Sequence, residues 1–103
     1  MRRENNTTDN QFLIQRSVHI IVKGRVQGVG YRWFVTQKAA DFNIAGWVRN
    51  LPDRNVEIVA HGKKTDLDTF IEWIKTGPAR ARVISDSVSD FVANHVPDTF
   101  SVR

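Results

Sequence analysis

The sequence predicts an α+β fold, a ferredoxin-like βαββαβ sandwich in which an antiparallel sheet carries two helices on one face. Three observations predict it. Two apolar stripes with helical spacing each follow a stretch of alternating apolar residues, and a proline-bearing turn separates the second and third alternating stretches. At 103 residues and 41% hydrophobic composition, the chain can bury one core but not two.

The first strand is read from Val18, Ile20 and Val22, which alternate with His19, Ile21 and Lys23 and end at Gly24. From Tyr31 the apolar residues recur at Phe34, Val35, Ala39 and Phe42, a spacing of three and four that defines one helical face. Ala45 to Asn50 forms a second strand, and Leu51-Pro52-Asp53-Arg54-Asn55 a turn, with Asn55 suited to a left-handed backbone. Val56, Ile58 and Ala60 alternate on the return strand, which Gly62-Lys63-Lys64 terminates. Thr65, with Asp68 three residues on, resembles a shortened capping box for a helix that buries Leu67, Phe70, Ile71 and Ile74 and stops at Gly77-Pro78. Residues 80–91 form a polar edge strand, and Phe100 and Val102 a short final one. Met1 to Asn10 lacks apolar periodicity, so residues 1–16 are expected to be a mobile tail and lead-in, and residues 17–103 the domain.

Composition excludes several functions. The absence of cysteine removes disulfides, thiolate catalysis and cysteine metal sites, and fits a cytoplasmic setting. No run approaches the roughly 20 apolar residues of a membrane span, and the first residues are polar, unlike a secretory signal. The net charge of +4 is spread along the chain without a dense basic block. The third strand lacks the aromatic rings of an RNA-binding sheet, and Trp33, Trp47 and Trp73 are expected to pack between helices and sheet; no nucleic-acid partner is expected. His19, His61 and His95 lack ligand spacing and are read as surface residues, so neither metal nor other cofactor is expected. Asp86 and Asp90 blunt the edge strand, which favours a monomer.

The stretch that carries chemistry runs from Gly24 to Arg32. A glycine-containing loop between a strand and a helix lets backbone N–H groups converge, and the helix adds free donors and the positive end of its dipole. The candidate phosphate-binding loop is Arg25, Val26, Gln27, Gly28, Val29, Gly30 and Tyr31, closed by the planar, charged fork of Arg32. Spacing alone also allows Gly24, Gly28 and Gly30 to serve only a tight turn. Right-handed crossovers make the first two strands parallel with the third between them. Asn50 then ends its strand at the same sheet edge, roughly 10 Å from the loop by two strand spacings. Its amide could instead satisfy nearby turn backbone.

Gly24-Arg25-Val26-Gln27-Gly28-Val29-Gly30-Tyr31-Arg32, Gly46-Trp47-Val48-Arg49-Asn50 and Gly77-Pro78-Ala79-Arg80-Ala81-Arg82-Val83 together resemble the acylphosphatase family, over about Ser17 to Arg103. The resemblance implies a catalytic arginine at Arg32, a catalytic asparagine at Asn50, and metal-free hydrolysis of the carboxyl–phosphate bond of small acyl phosphates. Inorganic phosphate would be product or competitive inhibitor. Acetyl phosphate, carbamoyl phosphate and 1,3-bisphosphoglycerate remain open as substrates. Domains of this kind also occur within larger proteins that process carbamoyl phosphate, so a non-catalytic or specialised phosphate/carbamoyl-phosphate-binding module is the alternative. The chain departs from the family at Arg54-Asn55, where relatives often place glycine, and in the polar Ser85 to Ser87.

Overall fold

The computed structural model describes residues 14–103. Seven elements follow in order: β1 (Gln15–Arg25), α1 (Tyr31–Asp41), β2 (Ala45–Asn50), β3 (Val56–Lys63), α2 (Lys64–Thr76), β4 (Arg82–Asp90) and β5 (Phe100–Val102). β1 takes in Gln15 and Arg16, just ahead of the expected domain start; the rest of the expected tail lies outside the described residues, apart from Ile14. The strands form one sheet in the order β4-β1-β3-β2-β5. β3 pairs antiparallel with both β1 and β2, which makes those two strands parallel and points their C-terminal ends the same way.

The alternating pattern becomes one buried face. Val18, Ile20 and Val22 of β1, Val56, Ile58 and Ala60 of β3, and Val48 of β2 are fully buried. They meet Tyr31, Val35 and Ala39 of α1 and Leu67, Phe70, Ile71 and Ile74 of α2 in a single core. Burial of each large aliphatic or aromatic side chain contributes about 1.5–3 kcal/mol, which holds the helices on the sheet despite modest intrinsic propensities.

Four expectations change. The sheet is mixed rather than antiparallel, because β5 lies parallel to β2 with Gly46 opposite Phe100 and Val48 opposite Val102. A three-residue strand carries no directional signal in its sequence; the return of the chain beyond β4 sets its direction. Secondly, α2 has no capping box: β3 runs directly into the helix through an extended Lys63. Asp68 instead accepts hydrogen bonds from Lys64 Nζ at 2.9 Å and Arg16 Nη1 at 2.7 Å. Thirdly, the left-handed turn residue is Arg54, at φ 76°, and not Asn55, whose N–H and side-chain amide both bond to the Asp53 carboxylate.

The tryptophans are the fourth change. Trp33 is 68% exposed and Trp73 is 42% exposed, so neither is core. Trp73 covers the helix seam against Phe34, with Lys38 Nζ 3.7 Å from its ring centroid. Trp47 lies on the outer sheet face between the Arg49 and Arg103 guanidiniums. His19 and His61 do fall on the outward phase of their strands, but each is engaged: His19 Nε2 lies 2.6 Å from Glu57 Oε2 and His61 Nδ1 lies 2.6 Å from Ser17 Oγ. Among the described residues no group of His, Asp and Glu could hold a metal ion. No described helix is long and apolar enough to cross a membrane.

Candidate active site

The parallel ends of β1 and β2 build the site. β1 pairs with β4 up to Arg25, with a register shift between Lys23 and Gly24. Gly24 sits at φ 134°, and a Cβ there would stand 2.1 Å from the Arg82 carbonyl oxygen. The first glycine of the loop therefore allows the close approach of β1 and β4.

Beyond Arg25 the chain turns through Gly28 at φ 74° and Gly30 at φ 79°, left-handed positions that glycine occupies without strain. Neither glycine has a neighbouring atom within 4 Å of a notional Cβ, so both border open space. Gly30 caps α1 with no side-chain hydrogen bond, and its carbonyl accepts only the Phe34 N–H at 3.0 Å. The N–H groups of the first turn of α1 are thus available to an anion at the positive end of the helix.

The predicted loop residues divide by what their side chains do. Val26 is buried in the core and Val29 packs against it, so only their backbones can face a ligand. Tyr31 is buried and donates its hydroxyl to the Ile74 carbonyl at 2.7 Å, which ties α1 to α2; burial pushes its phenol well above the usual range, with Asp86 adding to the shift. Gln27 donates its side-chain amide to the carbonyls of Leu51 and Asn55, each at 2.9 Å. It latches the loop to the β2–β3 turn just beyond Asn50, which fixes the two halves of the site relative to each other. That role was not apparent in the sequence.

Arg32 and Asn50 come together as the parallel strands require. Gly24, Arg25, Val26, Gln27, Gly28, Arg32, Asn50 and Arg54 line a cleft of about 500 Å³. An adjoining cavity of about 200 Å³ is lined by Val26, Gly28, Gly30, Tyr31, Arg32, Trp33 and Asn50. Val29 borders neither; it faces a third hollow shared with Arg25, Gln27, Gly28, Ala79 and Arg80. Asn50 ends β2 opposite Val56, and its Oδ1 is buried with no hydrogen-bond partner among the described residues. Such an orphaned acceptor costs about 1–3 kcal/mol unless a ligand or water donates to it. The alternative reading of Asn50, an acceptor spent on turn backbone, does not hold for this oxygen.

No ion pair among the described residues involves Arg25, Arg32 or Arg54, whereas Arg16 and Arg49 are both paired. The cleft is therefore cationic and rich in donors, and its one buried free acceptor is Asn50 Oδ1. This arrangement has the chemistry to bind an anion and to position a small donor molecule beside it. Sequence reasoning assigned Trp33 to packing and Arg54 to the turn alone; the available signal for Arg54 was an arginine where a turn favours glycine.

A sequence profile of the Acylphosphatase family matches residues 18–102. The curated acylphosphatase of Methylococcus capsulatus is 41% identical over 87 residues, which cover 84% of this chain and 95% of that relative. The crystal structure of acylphosphatase from Bacillus subtilis superposes with a TM-score of 0.82 at 39% identity, covering 87% of this chain and 99% of the other. Full-length HypF in its phosphate- and nucleotide-bound form matches with a TM-score of 0.77 at 26% identity, over 87% of this chain but 12% of its own length.

Proposed function

This chain belongs to the acylphosphatase family, and on that premise we propose that Arg32 and Asn50 are the groups with which it hydrolyses the carboxyl–phosphate bond of small acyl phosphates. The protein is a hydrolase of acid anhydrides; the residue roles follow from the chemistry of that bond. Its leaving group is a carboxylate, whose conjugate acid has a pKa of about 4, so departure at neutral pH needs no proton donor. What remains is stabilisation of charge on the phosphoryl oxygens and placement of a water for in-line attack.

Arg32 and the N–H groups at the start of α1 bind the phosphoryl oxygens, and the guanidinium fork matches two of them. Asn50 Oδ1 accepts a hydrogen bond from the attacking water. The carboxamide orients this water and does not deprotonate it. As the new phosphorus–oxygen bond forms and the bond to the acyl oxygen breaks, the water proton passes to a phosphoryl oxygen of the substrate. The products are a carboxylate and inorganic phosphate. No side chain need titrate in this route, so the rate should be flat across neutral pH apart from ionisation of the substrate.

The buried, unpartnered Asn50 Oδ1 beside Arg32 is the observation that supports this assignment most strongly. A specialised binding module is not favoured, because the match spans 95% of the Methylococcus capsulatus acylphosphatase and 99% of the Bacillus subtilis one. A cysteine-free sequence fits the reducing cytoplasm, and the acidic β4 edge with Asp86 and Asp90 supports a monomer.

The test is hydrolysis of benzoyl phosphate with excess chelator by the parent, Arg32→Ala and Asn50→Ala, each checked for native circular dichroism. Rapid parental turnover that falls at least ~10²-fold in each variant is expected, as for loss of a donor aimed at a transition state. Parental turnover that survives either substitution would remove that residue from the mechanism.

A further inference from the structure

The cleft holds more positive charge than the reacting phosphoryl group needs. Arg25, Arg32 and Arg54 all line it, and no carboxylate does. An acyl phosphate brings about two negative charges, which Arg32 and the helix N-terminus can meet. Like charges gathered in one cleft repel, and an arrangement of this kind is stabilised when a ligand supplies the balancing charge.

Arg54 is the informative member of this set. It occupies the β2–β3 turn at φ 76°, a left-handed conformation that a residue with a Cβ adopts only at a cost and that glycine adopts freely. The strained position sits on the wall of the cleft that contains Arg32 and Asn50. Its acidic neighbour is occupied: Asp53 Oδ1 accepts the Asn55 N–H at 3.1 Å and Oδ2 accepts from Asn55 Nδ2 at 3.0 Å. The turn is also fixed in place. Arg54 N–H donates to the Leu51 carbonyl at 3.1 Å, and Gln27 grips the Leu51 and Asn55 carbonyls from the loop side. The Arg54 backbone is therefore held in register with the cradle.

We propose that this enzyme selects acyl phosphates whose acyl portion carries a second anionic group, a carboxylate or a phosphate, and that Arg54 recognises that group. The inference rests on the assignment of the cleft as the acyl phosphate site. The phosphoryl group lies on Arg32 and the start of α1, and the acyl portion extends toward the turn, where the Arg54 guanidinium pairs with the distal anion. The contact is remote from the bond that breaks and is the same in ground and transition states. It lowers KM and leaves kcat nearly unchanged.

The experiment compares succinyl phosphate with butyryl phosphate, which has the same chain length without the distal carboxylate, and 3-phosphoglyceroyl phosphate with acetyl phosphate. Each is assayed with the parent, Arg54→Gly and Arg54→Lys. Glycine fits the backbone at this turn, so Arg54→Gly should melt no lower than the parent. The parent should favour each substrate that carries a distal anion over its counterpart without one by about tenfold or more in kcat/KM, through KM. Arg54→Gly should abolish that preference, Arg54→Lys should restore part of it, and added salt should weaken it. The carboxylate and phosphate arms report separately which distal anion is preferred. Equal kcat/KM ratios in parent and Arg54→Gly, with butyryl and acetyl phosphate still hydrolysed, would overturn the proposal and leave the catalytic assignment standing. Absence of turnover on all four substrates would instead overturn the catalytic assignment.

Discussion

β1 begins and ends with arginines in opposite situations. At its start, Arg16 donates to Asp90 at 2.8 Å and to Asp68 at 2.7 Å, and these carboxylates raise its already high affinity for its proton. At its far end, Arg25 leads into a loop whose arginines have no acidic partner among the described residues. The same contrast separates two acceptors. Glu57 is held by His19 and Arg49 on the outer sheet face, while Asn50 Oδ1 on the neighbouring strand is buried and empty-handed. Polar groups that bond within the protein hold the fold, and those left unbonded are the ones to which the proposed function gives a substrate partner.

The strongest way to break this contrast is to disturb a glycine on each side of it. At Gly46, φ is 137° and a Cβ would lie 1.9 Å from the Val59 carbonyl oxygen, inside the sheet. Gly46→Ala should therefore fail to fold or lose roughly 4 kcal/mol or more in denaturant unfolding. Gly28→Ala meets no atom, so its cost should be only the left-handed backbone strain of about 1–2 kcal/mol, measured by the same titration. A large loss in Gly28→Ala would mean that the loop is part of the packed fold.

A smaller effect is expected at the latch. Gln27→Ala removes two hydrogen bonds between the loop and the turn, and should destabilise the fold by about 1–2 kcal/mol. Because Gln27 acts by positioning, kcat should also fall by about tenfold, with the flat neutral pH profile retained. An unchanged kcat would show that the turn needs no such tether.

The smallest effect is on the satisfied side. Burial by itself would raise the Glu57 carboxyl, but hydrogen bonds from His19 and Arg49 outweigh it and hold the group below its ordinary value. A folded-state value below the unfolded one adds stability that is present above about pH 4.5 and is lost as pH falls through the folded value. Glu57→Gln should accordingly cost about 1 kcal/mol at pH 7 and much less at pH 3, read from chemical denaturation at both. An equal cost at the two pH values would point to packing instead of charge.

Much of this was legible in the sequence because it rests on local chemistry. Alternation at Val18 to Val22 and Val56 to Ala60, and the three-and-four spacing after Tyr31, report burial directly. The meeting of Gly-Val-Gly-Tyr-Arg and Asn50 was legible through chain order and right-handed crossovers, which bring the ends of β1 and β2 to one edge, while the roles of Arg32 and Asn50 were legible only through the resemblance to the acylphosphatase family. What escaped depends on partners distant in sequence. The direction of β5 and the commitment of Asp68 to Arg16 are tertiary facts. The exposure of Trp33 is another, because an indole at a helix start looks the same in sequence whether it packs or stands free. The two hydrogen bonds of Gln27 belong with these, since a loop glutamine has no periodicity to reveal its reach.

The division of labour between the two unsatisfied groups can be measured directly by titrating inorganic phosphate into the parent, Arg32→Ala and Asn50→Ala by calorimetry, alongside kcat on benzoyl phosphate. Asn50→Ala should bind phosphate within about threefold of the parent while kcat falls at least ~10²-fold, and Arg32→Ala should lose both. Phosphate binding that survives in Arg32→Ala, or that is lost in Asn50→Ala in step with its activity, would contradict the assignment of anion binding to one residue and water placement to the other.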